Sequence, residues 1–143
     1  MSIVILYGSE MGTTEDLASQ AQSALQGAGL EVEVKGMEDM TAGELASTSC
    51  ALIMTSTWGD GEPPSNAEEL YEALSEGGDF SGLSYAVFGI GSTSFEHFCK
   101  AAQDFDSFLS AGGATRISDT VLCDDDYDEK LPVWIEEITA KLK

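Results

Sequence analysis

The sequence predicts an α/β fold: a three-layer sandwich around a five-stranded parallel sheet of order 2-1-3-4-5. Three observations carry this. Apolar runs alternate with helical patterns along the whole chain. Three of the runs are apolar throughout, as parallel strands covered on both faces must be. The other two mix polar with apolar residues, as sheet edges do. The simple right-handed winding that keeps the three apolar strands central is 2-1-3-4-5, with its switch point at the carboxyl ends of strands one and three. At 143 residues, with no internal repeat or linker, the chain reads as a single domain over 1–143.

Each element has its own signal. Ile3–Tyr7 is continuously apolar, and Leu17, Ala18, Ala21, Ala24, Leu25 and Ala28 then recur at helical spacing until Gly27-Ala28-Gly29. Glu31–Lys35 alternates strictly, as an edge strand does. A short helix is expected around Ala42–Ala46, and Cys50–Thr55 is a buried run. A helix from about Asn66 to Glu76 turns Ala67, Leu70 and Leu74 inward. Tyr85–Ile90 is the third buried run, and Phe98, Ala101, Ala102, Phe105, Phe108 and Leu109 mark a helix closed by Gly112-Gly113. Thr115–Leu122 reads as one strand of mixed polarity. The last helix is expected from Pro132 to about Leu142, with proline in its first turn.

Composition narrows the function. Apolar residues make up 43% of the chain, enough for a packed core. Acidic residues number 26 against 6 basic ones, a formal net charge of −20, and the bases are scattered. Nucleic acid is therefore not expected as a partner, because phosphate backbones need clustered cations. Such acidity serves solubility and can also steer basic proteins. No apolar run approaches a membrane span and no leader pattern opens the chain, so no membrane association and a cytoplasmic location are expected. Cys50, Cys99 and Cys123 stand far apart; with the lone His97 they make neither a zinc site nor a four-thiolate cluster.

Three loops should meet at the switch point. The first, Gly8-Ser9-Glu10-Met11-Gly12-Thr13-Thr14, follows a strand and opens a helix, so free backbone N–H groups and the helix dipole converge on one point. It contains no Lys or Arg and is not a Walker-type loop; it suits one terminal phosphate held by neutral donors. It also reads as a plain capped turn, with Thr13 or Thr14 as N-cap. The second loop, Thr55-Ser56-Thr57-Trp58-Gly59-Asp60-Gly61-Glu62-Pro63-Pro64-Ser65-Asn66, sets a Trp among glycines and hydroxyls, poor core material but a good stacking surface. The third runs Gly89-Ile90-Gly91-Ser92-Thr93-Ser94-Phe95-Glu96-His97-Phe98-Cys99. Together they favour a planar ligand carrying one phosphate.

In these motifs, and in Asp124-Asp125-Asp126-Tyr127, the chain resembles the flavodoxins, close to the FMN domains of diflavin reductases. Thr115–Leu122 leaves no room for the insertion of long-chain members, so the resemblance is to the short-chain type. It implies FMN as cofactor. Ser9, Glu10, Met11, Gly12, Thr13 and Thr14 would hold the phosphate, and Ser56, Thr57, Gly61, His97 and Phe98 would line the pocket. Trp58 would stack on one flavin face and Phe95, where the family usually has Tyr, on the other. Gly89, Ile90, Gly91, Ser92 and Cys99 would face the pyrimidine edge, although Ser92 stands where many relatives have Asp or Asn. The Gly59-Asp60 peptide would turn to accept a hydrogen bond from flavin N5–H, separating the two one-electron steps. Asp60, Glu62, Glu96 and Asp124–Asp126 would lower the potential: at a dielectric near 20, one carboxylate about 8 Å away costs roughly 2 kcal/mol.

The function expected is thus an FMN-containing, low-potential carrier of single electrons, a monomer without a substrate site of its own. Its partners would be basic proteins, such as an NAD(P)H-dependent flavodoxin reductase and an acceptor enzyme. Three alternatives stand beside it: an FMN-dependent quinone reductase, an accessory flavoprotein dedicated to one enzyme, and a receiver-type signalling domain. The last needs an Asp where strand three ends in Ser56-Thr57.

Overall fold

A computed structural model describes residues 3–8, 13–56, 67–90, 100–118, 120–123 and 126–142. In chain order the elements are β1 (Ile3–Gly8), α1 (Thr13–Gly27), β2 (Val32–Gly36), a 3-10 turn (Met37–Asp39), α2 (Ala42–Ala46), β3 (Cys50–Ser56), α3 (Glu68–Ser75), β4 (Ser84–Ile90), α4 (Lys100–Ala111), β5 (Thr115–Arg116), β6 (Val121–Cys123) and α5 (Tyr127–Leu142). The strands are parallel in the order β2-β1-β3-β4-β5, with β6 also paired to β4.

Strand alternation divides the core in two. Val4, Leu6, Ala51, Ile53, Tyr85 and Val87 point to the face covered by α2, α3 and α4, where Leu45, Leu70, Leu74, Ala102, Phe105 and Leu109 meet them. Ile3, Ile5, Leu52, Met54, Ala86 and Phe88 point to the face covered by α1 and α5, against Leu17, Ala21, Leu25, Leu131, Trp134 and Ile138. The largest buried side chain, Trp134, tilts against Phe88 at 5.2 Å between ring centroids. With both faces covered, β1, β3 and β4 are buried as their apolar runs require. α2 is only five residues long and is held by a capping box between Thr41 and Glu44.

Three expectations are corrected. Ala24, assigned to the inward face of α1, is exposed. The last helix begins at Tyr127, five residues ahead of Pro132. Its first turn is secured by N–H bonds from Glu129 and Lys130 to the Asp126 carbonyl, at 3.1 and 3.2 Å, so the proline removes one bond inside an established helix. The fifth strand is also broken. β5 pairs Thr115 and Arg116 with Ser84 and Tyr85, and pairing resumes only at Val121 opposite Phe88. Ala86 and Val87 of β4 therefore face the four residues from Ile117 to Thr120, a two-residue bulge of the kind found at sheet edges.

Side chains from both helical layers pin this bulge. On the α4 side, the Asp106 carboxylate accepts from Tyr85 Oη, from Arg116 Nη1 at 3.0 Å and from Thr120 Oγ1 at 3.1 Å. On the α5 side, Ser118 Oγ donates to Glu137 Oε2 at 2.9 Å. Burial of the phenol, reinforced by the Asp106 carboxylate it bonds, raises the Tyr85 pKa far above its ordinary value.

Candidate functional site

The register brings the central strands to a common height at their carboxyl ends: Gly8 pairs with Thr55, and Thr55 with Gly89. The chain leaves β1, β3 and β4 within a residue or two of this row, so the three loops singled out in the sequence start side by side. Gly8 is fixed by its neighbours. A Cβ there would lie 2.9 Å from Thr55 Oγ1 and 3.1 Å from both Ala67 Cβ and Met37 Sδ. A side chain at position 8 has no room beside Thr55, Ala67 and Met37. Thr55 itself is fully buried, the polar end of an otherwise apolar strand.

Beside this row α1 begins. The helix starts at Thr13, so Thr13 and Thr14 lie in its first turn and are not N-caps. The Thr14 side chain is 0% exposed, and its Oγ1, like Trp134 Nε1 in the core, has no hydrogen-bond partner among the described residues. A buried hydroxyl left in that state costs about 1–3 kcal/mol. It sits where a helix dipole and free N–H groups favour an anion, and an acceptor arriving there would satisfy it. The donor chemistry (a hydroxyl plus first-turn amides, without a cation) fits a phosphate monoester.

The surroundings are acidic. In a parallel sheet the connecting helices start at the strands' carboxyl ends, and the first turns here carry Glu15 and Asp16 on α1, Glu68 and Glu69 on α3, and Asp128 and Glu129 on α5. Glu38 and Asp39 follow β2. The Tyr7 phenol, near the end of β1, has its pKa raised first by burial and then by Glu15, Glu38 and Asp39. Of the thiols, Cys50 is buried, which pushes its pKa up to about 11 and keeps it an inert core residue. Cys123 is also buried, its Sγ donating to the Gly89 carbonyl at 3.2 Å.

Of the residues assigned to the site from sequence, the structure places Thr13 and Thr14 at the head of α1, Ser56 at the end of β3, and Gly89 with Ile90 at the end of β4. Ser9, Glu10, Met11, Gly12, Thr57, Trp58, Gly59, Asp60, Gly61, Gly91, Ser92, Phe95, His97, Phe98 and Cys99 lie outside the described residues, as do Asp124 and Asp125. The sequence set Thr55 at the head of the second loop without a role of its own, whereas it is a buried residue of β3, and the close packing around Gly8 was not read. The signal was the first of three successive hydroxyl residues, Thr55-Ser56-Thr57, closing an apolar run.

The flavodoxin family model matches residues 5–133. The chain belongs to the flavodoxin family. This family binds FMN and carries electrons through it. Among solved structures, the flavodoxin of Streptococcus pneumoniae superposes with a TM-score of 0.85 at 32% identity, covering 99% of both chains. Flavodoxin 2 of Bacillus cereus gives 0.86 at 32%, again over 99% of both chains. Among curated proteins, the flavoprotein alpha-component of the NADPH sulfite reductase of Bacillus subtilis is 37% identical over 98% of this chain. The chain spans 24% of that relative's length, so the flavodoxin unit here corresponds to about a quarter of the longer protein.

Proposed function

We propose that this flavodoxin binds FMN at the carboxyl end of its sheet and carries single electrons from an NAD(P)H-dependent reductase to an acceptor enzyme. The observation that supports it most is the buried, unpartnered hydroxyl of Thr14 in the first turn of α1. FMN supplies a ring that takes up electrons one at a time, and everything else is the work of the chain.

Thr14 Oγ1 and the first-turn amides of α1 hold the phosphate, together with Ser9–Gly12 as the resemblance assigns them. Trp58 and Phe95, assigned in the same way, cover the two faces of the ring. The absent Cβ at Gly8 lets the end of β1 pack closely against Thr55 at the end of β3 and Ala67 ahead of α3. The Gly59-Asp60 peptide is the assigned acceptor for the proton at flavin N5, and glycine lowers the cost of turning that peptide.

The acidic first turns do two things. They oppose the negative charge that reduction adds, which lowers the potential. They also give the site's rim one sign of charge, which speeds encounter with basic partners and makes that rate fall with salt. The carrier acts as a monomer in the cytoplasm.

A second reading, service to one dedicated NADPH-linked enzyme such as a sulfite reductase, is favoured by the 37% identity to that enzyme's flavoprotein component. It differs in partner and not in chemistry. A visible spectrum of the purified protein followed by dithionite titration tests both. Bound flavin, released by acid as FMN and reduced in two separate one-electron steps, is the expected result. A colourless protein that takes up no added FMN overturns the proposal. Direct oxidation of NADPH by the protein alone would point instead to an FMN oxidoreductase.

A further inference from the structure

We propose that the cleft between β6 and α5 is a second binding site, for a small uncharged molecule with an apolar body and one hydrogen-bond acceptor. The cleft has a volume of about 560 Å³, within the range of small-molecule sites. It opens at the β6 edge of the sheet, across β4 and β3 from β1 and the head of α1. Nothing in it depends on FMN.

Trp134 and Val133 point to a ligand here. Trp134 lines the cleft, yet it is only 1% exposed and its Nε1 has no hydrogen-bond partner among the described residues. A buried indole N–H usually finds a partner, and one left without has lost its hydration for nothing in return. An acceptor carried into the cleft supplies the missing bond. Val133, its neighbour on the rim, is the large hydrophobic that stays exposed among the described residues, at 56%. On the strand side Val121 pairs in register with Phe88, the residue against which Trp134 tilts. The cleft thus has one valine on β6 and another on α5, with the indole between strand and helix.

The polar groups of the rim set the charge of the occupant. Thr120 Oγ1 already donates to Asp106, Glu137 Oε2 accepts from Ser118, and Lys130 Nζ donates to the Leu122 carbonyl. Glu129 and Glu137 give the rim two carboxylates against the one ammonium of Lys130, on a chain of net charge −20, so an anion is repelled. The unmet group is a single donor in an apolar setting. It selects a neutral acceptor, such as the carbonyl of an aryl ketone or aryl amide.

Acetophenone is the probe, and ethylbenzene, which lacks the carbonyl, is its control. Each is titrated into the full chain as purified and followed through the indole and backbone N–H signals in nitrogen–proton correlation spectra. Acetophenone is expected to move the Trp134 indole N–H downfield, saturably, together with the amides of Val121 and Val133. Ethylbenzene should move those amides without the downfield shift of the indole. Trp134→Phe removes the donor and keeps most of the ring; it should weaken acetophenone at least fivefold and leave ethylbenzene within twofold, as expected for one lost hydrogen bond. Val133→Ser changes an exposed residue, and it should weaken both probes at least threefold while FMN affinity stays within twofold. The parent titration and Val133→Ser decide the matter if Trp134→Phe does not fold. An indole signal that acetophenone leaves in place, or that ethylbenzene moves in the same way, overturns the inference. Undiminished binding of both probes to Val133→Ser overturns it too, because the molecules would then lie elsewhere.

Discussion

The two ends of this sheet use similar polar groups to opposite effect. At the bulged edge, the Asp106 carboxylate takes three donors, from Tyr85, Arg116 and Thr120. At the carboxyl end, the Thr14 hydroxyl is buried with none. Among the described residues one other buried side-chain atom lacks a partner, Trp134 Nε1 in the core between the sheet and α5, so the missing bond at Thr14 points to a ligand only together with its place in the first turn of α1. The contrast sets two roles side by side: the Asp106 cluster ties β4 to the edge of the sheet, and the Thr14 hydroxyl is the group proposed to meet the phosphate.

Removing the centre of the satisfied cluster should have the largest effect. Asp106→Ala deletes three bonds at once and is expected to destabilise the protein by about 2–3 kcal/mol in urea unfolding. The loss is limited because the Asp106 backbone carbonyl, 3.3 Å from Tyr85 Oη, remains as a weaker acceptor. FMN affinity measured well below the unfolding midpoint should hardly change. A large drop in affinity at intact fold would blur the division between the two ends.

Gly8→Ala should come next and act on both stability and binding. Its Cβ would press on Thr55 Oγ1 and Ala67 Cβ, and such overpacking costs about 1–3 kcal/mol. Because the displaced atoms underlie the first two loops, FMN binding should weaken in parallel. Titration of FMN together with thermal unfolding checks the pairing; destabilisation without loss of affinity would make Gly8 a core residue only.

A smaller effect is expected from pH. The Cys50 thiol and the Tyr85 phenol have folded pKa values above their ordinary 9.0 and 10.0, so above those values the unfolded chain releases protons that the folded chain retains. Stability should therefore be insensitive to these groups below about pH 9 and fall as pH rises beyond it, by about 1.4 kcal/mol per pH unit for each proton. Tyr85→Phe should make the decline above pH 10 shallower, at a cost of about 1 kcal/mol near neutrality. An unchanged slope would remove Tyr85 from the account.

Much of the fold was legible because burial on both faces leaves strands no choice but continuous apolar runs. Ile3–Tyr7, Cys50–Thr55 and Tyr85–Ile90 declared themselves, and α2 fell at Ala42–Ala46 as read. The start of α5 was misplaced because Pro132 resembles an N-terminal signal, whereas the helix is nucleated earlier through the Asp126 carbonyl. The bulge was invisible for a different reason. Its two extra residues preserve the alternation of faces, and the groups that hold it, Asp106 and Glu137, are distant in sequence. At the site, Thr14 was legible as a hydroxyl in a loop-to-helix motif. Its burial and missing partner were not, since both depend on how α1 packs beside β1 and β3.

Thr14→Val tests the central claim most directly, because it removes the hydroxyl and nearly preserves the shape. If Thr14 awaits a phosphate, flavin-free T14V should be as stable as the parent or more so, by about 1 kcal/mol. Its FMN affinity should fall roughly tenfold or more, the worth of a hydrogen bond to a charged acceptor. Unchanged FMN affinity, or a marked loss of stability in the flavin-free protein, would contradict the account and return Thr14 to the structural groups.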